Sequence, residues 1–182
     1  LALTTADYRW KWVTWHDLFL GGDGYNNNIK TNGTIATYLG TCAAADAGSG
    51  DGPNGSHSYK VAFYTTTYTV IFDVVSNAVT VTDNDISLSM IPIGPTSYLG
   101  EAVVGRKVYR NTAAAQTTWK LLSNGTIADN TTTLTDSDAD GALGAAYPTA
   151  NGTTIFAQTP PKCKYWVVHK NRLFGANTTA NP

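Results

Sequence analysis

Charged residues make up only 14% of this 182-residue chain, and its formal net charge is -1. With so little net charge there is no strong field to hold nucleic acid or an anionic membrane, and binding of either is not expected. No run of about 18 apolar residues occurs, which excludes a membrane-spanning helix. Glu101 is the only glutamate, a single methionine is present, and the two cysteines are Cys42 and Cys163. A polysaccharide-cleaving pair of carboxylates would therefore have to come from aspartates, most of which sit in turns. Two cysteines permit one disulfide but no disulfide framework, and two buried thiols are expected. The start, Leu1-Ala2-Leu3-Thr4, has neither Met nor a basic-then-apolar leader, and the chain reads as an excerpt of a longer protein.

Thr, Asn, Gly, Ala and Tyr are abundant, the profile of strands and tight turns, so the chain is expected to be nearly all β. Two distant stretches share one pattern. Trp10-Lys11-Trp12-Val13-Thr14-Trp15-His16-Asp17-Leu18-Phe19 and Tyr165-Trp166-Val167-Val168-His169-Lys170-Asn171-Arg172-Leu173-Phe174 each read as a β-hairpin. At constant offset Val13 meets Val168, Leu18 meets Leu173 and Phe19 meets Phe174. Repeats parted by a long insertion predict a β-repeat host carrying a separate β-domain.

The expected organisation is a host segment over 1–42, a small-residue linker over 43–57, a β-sandwich over 58–138, a loop-like linker over 139–161 and a second host segment over 162–182. Within the sandwich, Tyr59–Tyr64, Val70–Val75, Ala78–Val81, Ile86–Met90, Gly105–Arg110, Trp119–Leu122 and Thr131–Asp136 read as strands. The prolines of Ile91-Pro92-Ile93-Gly94-Pro95 mark an edge or crossover.

Candidate sites are few. Asp136, Asp138 and Asp140 alternate before Gly141, as in a calcium loop, but the twelfth position is Tyr147 and no helices flank it. The competing reading is a polar exit from the last sandwich strand. Six Asn-x-Ser/Thr triplets begin at Asn32, Asn54, Asn124, Asn130, Asn151 and Asn177; four are Asn-Gly pairs, which turns select for positive φ. Gly50-Asp51-Gly52-Pro53-Asn54-Gly55 has dinucleotide-motif spacing without the strand and helix such a motif needs, and reads as linker. His16, His57 and His169 do not cluster, and no nucleophile elbow or zinc-helix motif is present. Trp10, Trp12, Trp15, Tyr165 and Trp166 read as sheet-packing core, with a glycan-stacking platform as the competing role.

Ser58-Tyr59-Lys60-Val61-Ala62-Phe63, Ile86-Ser87-Leu88 with Ile91-Pro92, Arg106-Lys107-Val108-Tyr109-Arg110, Trp119-Lys120-Leu121-Leu122 and Leu134-Thr135-Asp136 occur in an order that resembles the fibronectin type III-like domains of tail and neck proteins of tailed bacteriophages. It departs at Thr65–Thr69, where a family member carries a glutamate-serine turn. The flanks, Leu18–Gly24 and His169–Asn177, are similar to blade hairpins of propeller-like phage virion proteins. The resemblance covers roughly nine-tenths of the chain and rests on strand patterns, which carry no catalytic signature. It implies an all-β, non-enzymatic virion structural protein of the tail or head-to-tail connection. Such a protein would form a homo-oligomeric ring with other virion proteins as partners, without cofactor beyond a calcium ion at the three aspartates. A carbohydrate-binding module for attachment to host-surface glycan is the alternative.

Overall fold

Alternating β-branched and aromatic residues favour a pleated backbone. The computed structural model, which describes residues 11–15, 18–22, 28–34, 36–128, 130–158, 162–170 and 172–178, is all-β, with several antiparallel sheets, none closed. In chain order its strands are β1 (Lys11–Trp15), β2 (Leu18–Gly22), β3 (Ile29–Thr31), β4 (Ala36–Tyr38), β5 (Ala43–Asp46), β6 (Gly55–His57), β7 (Tyr59–Tyr64), β8 (Thr69–Phe72), β9 (Val79–Val81), β10 (Ile86–Ser89), β11 (Ser97–Tyr98), β12 (Glu101–Ala102), β13 (Gly105–Thr112), β14 (Ala115–Ile127), β15 (Leu134–Asp136), β16 (Ile155–Gln158), β17 (Cys163–His169) and β18 (Arg172–Thr178). Asp140–Ala142 forms a single 3-10 turn. The chain divides into two compact units, Leu1–Leu39 with Thr159–Pro182, and Gly40–Gln158.

In the first unit, β1 to β4 form an antiparallel meander and β17 and β18 a hairpin. The two hairpins differ in register: Phe19 faces Thr14, whereas Phe174 faces Val167. At the sequence offset that superimposes the phenylalanines, this is a slip of two residues. An even slip keeps every side chain on its own face, which is why the sequence patterns still match. Trp12 lies opposite Gly21, its ring in the space a side chain there would take. Gly22 runs so close to the Cys163 carbonyl and the Asn28 side chain that a Cβ would collide with both. Asn28 accepts the Cys163 amide at 3.0 Å.

In the second unit a three-stranded sheet, β15-β10-β5, faces part of a five-stranded sheet, β14-β13-β7-β8-β16, in a sandwich-like arrangement. Tyr59, Val61, Val108 and Leu122 from the larger sheet pack with Ala44, Ile86 and Leu88 from the smaller one and with Cys42 just ahead of β5. The larger sheet's other face buries Ala62, Ile71 and Tyr109 against Trp119, Leu121, Tyr147 and Ile155. The proline-containing stretch at 91–95 leaves the smaller sheet after β10 and carries no strand. The Thr65 turn, where the glutamate-serine pattern is missing, is closed by its own hydroxyl, which accepts the Tyr68 amide at 2.8 Å, and by Glu101, whose carboxylate accepts the Thr67 amide at 3.0 Å.

Two segments expected as linkers are built into the sheets. Residues 43–57 contain β5, which pairs with β10, and β6, which pairs with β9. Small residues serve the core here because Ala43 and Ala44 sit under large partners, where a bigger side chain would overfill. Residues 139–161 contain the 3-10 turn, an isolated bridge from Ala146 to Lys120, and β16, which adds in parallel to β8. A parallel edge strand gives no hairpin signal, since its partner lies more than eighty residues earlier in sequence.

Candidate functional site

The chemistry-bearing residues that the fold gathers lie in the sandwich-like unit. Alternation along β13 sends Arg106, Val108 and Arg110 toward the core, so Arg110 must find acceptors there or leave a buried charge unpaired. It finds them in the facing sheet. The Arg110 Nη1 atom bonds both oxygens of Asp136, at 2.9 and 2.7 Å, and Nη2 bonds Asp140 at 2.9 Å. Tyr59, opposite Arg110 on β7, donates its hydroxyl to Asp136 at 2.7 Å. Arg110, Asp136 and Tyr59 are each 0% exposed. Burial, then the Asp136 charge and hydrogen bond, push the Tyr59 hydroxyl far above the usual tyrosine range. The network joins both sheets through groups that a low-dielectric interior strengthens only while all are paired.

These contacts involve all three aspartates of the calcium-like pattern. Asp136 is committed to Arg110 and Tyr59, Asp140 to Arg110 and to the Ala113 amide at 2.8 Å, and Asp138 to the Ser123 amide and hydroxyl at 2.6 Å each. Among the described residues no group of three His, Cys, Asp or Glu side chains is placed to hold a metal ion. Arginine, a tyrosine hydroxyl, a serine hydroxyl and backbone amides thus engage the three carboxylates that alternation suggested as ligands.

The other candidates separate. His57 is buried, with Nδ1 3.2 Å from the Asn111 carbonyl and Nε2 3.2 Å from the Asn54 carbonyl, so its ring ties β6 to the end of β13. His169 is exposed at the β17 end, and His16 lies outside the described residues. Gly50 and Gly52 pack against Asp85 and Asn84, and β6 begins at Gly55. Cys42 and Cys163 are both buried thiols.

Trp12 and Tyr165 depart from the core expectation. Trp12 is 50% and Tyr165 47% exposed, whereas Trp166 is half-buried. The glycine across from Trp12 explains the first: the ring covers Gly21 with one side and offers the other to solvent. Trp10 lies outside the described residues, as does the side chain of Trp15. Lys60 sits 5.1 Å from the rings of both Trp119 and Tyr147 and 3.0 Å from Asp73, so that aromatic pair is already filled by the chain's own cation.

Asparagine is the residue type whose role the sequence concealed. The Asn77 side chain accepts the Ala44 amide at 3.0 Å and donates to the Ala44 carbonyl at 2.7 Å, closing the edge of β5. Asn124 donates to the Thr135 carbonyl on β15 at 2.8 Å. Asn151 accepts the amides of Thr153, Thr154 and Ile155 ahead of β16. Two sheet margins, at β5 and β15, thus meet side-chain amides, and Asn151 closes the turn that leads into β16. Two of these asparagines, Asn124 and Asn151, head Asn-x-Ser/Thr triplets, and their bonds accord with turn and edge chemistry. Family models, curated proteins and solved structures were compared with the chain, and none matches.

Proposed function

We propose that the chain is a non-enzymatic structural protein of a tailed-phage virion, part of the tail or the head-to-tail connection, acting through protein–protein assembly. In this reading the sandwich-like unit is a fibronectin type III-like domain and the smaller unit belongs to a propeller-like β-repeat host. The observation that carries it is the apolar face of the β17–β18 hairpin. Tyr165, Val167 and Phe174 are 47%, 57% and 48% exposed, while the same unit's described residues bury only Leu20, Ile29 and Cys163 as apolar side chains. A sheet that shows more large apolar side chains than it buries is suited to being covered, as stacked β-repeats cover one another. The blunted edges of the sandwich-like unit favour contact through faces and loops over strand addition.

The test is peptide mass spectrometry and antibody labelling of purified particles from the phage that encodes the chain. Stoichiometric presence with label on the tail or neck supports the reading, and absence from the particle defeats it.

Exposure of Trp12 and Tyr165 favours a second reading, a carbohydrate-binding module that stacks host-surface sugars on these rings. Saturable quenching of tryptophan fluorescence by a glycan, lost in Trp12→Ala, would select it over assembly.

A further inference from the structure

The near-neutral chain is two oppositely charged bodies. Residues 1–39 and 159–182 hold seven Lys or Arg and three Asp, a formal charge of +4; residues 40–158 hold five Lys or Arg and ten Asp or Glu, a formal charge of -5; together they give the -1 of the whole. The segregation is sharper at the hairpin, because residues 159–182 contain no carboxylate side chain. Pairing and alternation put His169 and Arg172 on the same hairpin face as Tyr165, Val167 and Phe174, so an apolar strip ends in a basic tip.

In the sandwich-like unit part of the negative charge left over is gathered in two neighbouring loops. Asp73 is answered by Lys60, and Asp136 and Asp140 by Arg110. Asp46, Asp51 and Asp83 are exposed, and hydrogen bonds from the Ala47 amide to the Asp85 carbonyl and from the Asp85 amide to the Ser49 carbonyl tie their two loops together. No Lys or Arg occurs between Lys30 and Lys60 or between Lys60 and Arg106.

We propose that the apolar, basic-tipped face of the β17–β18 hairpin docks on the acidic sandwich-like unit of a second copy of this chain, head to tail. The contact joins different surfaces of the two copies, so it is heterologous and propagates into a ring or a filament. Apolar side chains supply burial, and opposite charge supplies orientation and encounter rate. The proposal rests on the assembly reading only for its biological setting: purified protein tests the contact and particle analysis tests the setting, and either can fail alone.

The experiment is sedimentation velocity of the purified chain across protein and salt concentration. Above-monomer species should grow with concentration at low salt and dissolve as the screening length falls to about 3 Å near 1 M salt. Val167→Asp should weaken association at least about tenfold, as should the pair Lys170→Asp with Arg172→Glu. The pair Asp51→Lys with Asp83→Asn should weaken it likewise, with asparagine chosen because Asp83 has φ 52°. Mixing the two charge-altered chains should restore association. All three variants alter exposed residues, and unchanged circular dichroism separates lost contact from lost fold. A chain monomeric at every concentration in low salt overturns the proposal, as does association indifferent to these changes. Failure of the mixed pair to associate rules out the acidic face as the landing surface and overturns it too. A monomer that instead binds a DNA oligonucleotide through Arg172 assigns the face to phosphate, with the same consequence.

Discussion

Asn77 meets Ala44 as a strand would, its side-chain amide taking both the backbone N–H and the backbone carbonyl of that residue, at 3.0 and 2.7 Å. An amide group has the donor–acceptor geometry of a peptide, so one side chain ends a sheet that would otherwise offer a template to another chain. Asn77→Ala should leave two backbone groups of β5 without partners and cost about 1–3 kcal/mol in urea unfolding. Combined with Asn124→Ala, which frees the Thr135 carbonyl of β15, it should also raise the aggregation rate, read by light scattering. Unchanged stability and scattering in both variants would remove the edge-blunting role.

Asp136 is the more demanding case. Removing it leaves the buried Arg110 with Asp140 as its one carboxylate partner and takes the acceptor from the Tyr59 hydroxyl, and Asp136→Ala should cost about 3–5 kcal/mol. Replacing both partners with apolar residues, Arg110→Met with Asp136→Leu, should recover part of that loss, since much of the penalty comes from the under-compensated buried charge. Urea denaturation of the single and double variants measures both. A single variant as stable as the parent would show that the network is not paired as described.

Calcium gives a third outcome. With Asp136, Asp138 and Asp140 engaged by Arg110, Tyr59, Ala113 and Ser123, the ion would have to displace several charge-assisted bonds. Millimolar calcium should leave the melting temperature unchanged within error. A rise of several degrees, abolished by Asp138→Asn, would reinstate the loop as a ligand site.

The hairpins and most sandwich strands were legible because alternation and turn residues are local signals. Residues 43–46 and 155–158 were not, because alanine-rich β5 and the parallel strand β16 owe their strand state to partners distant in sequence. The donors that meet Asp136, Asp138 and Asp140 were hidden for a related reason: alternating aspartates show spacing but not which groups fold against them. A usable hint was present in Arg106-Lys107-Val108-Tyr109-Arg110. An arginine two residues from a core valine in a strand calls for a buried acid, and the Thr135-Asp136 strand end supplies one. The exposure of Trp12 depended on Gly21 standing opposite it, which follows only from the hairpin register.

That register yields a fourth prediction. A side chain at position 21 would occupy the space filled by the Trp12 ring. Gly21→Val should therefore swing the ring outward, shifting tryptophan emission to the red and increasing its quenching by iodide. If emission and quenching stay as in the parent chain, Trp12 does not rest on Gly21.

Alkaline pH probes the interior from another side. Burial pushes the Tyr109 hydroxyl up to about 12, and pushes those of Tyr59 and Tyr147 higher still, Asp136 adding to the first and Asp73 to the second. An unfolded tyrosine ionises near 10. Because the folded values are raised, the neutral hydroxyls favour the native state fully below about pH 10, and that contribution is lost as pH rises through the folded values. For Tyr109 the window runs from about 10 to about 12. Phenolate absorbance from Tyr59, Tyr109 and Tyr147 should therefore appear late, together with loss of the β-sheet circular dichroism signal. Tyr59→Phe removes one ionisable group and the Asp136 hydrogen bond together. It should lower stability at neutral pH while shrinking the late absorbance step by one tyrosine. If no late absorbance step accompanies loss of the sheet signal, the desolvated placement of the Tyr59, Tyr109 and Tyr147 hydroxyls is refuted.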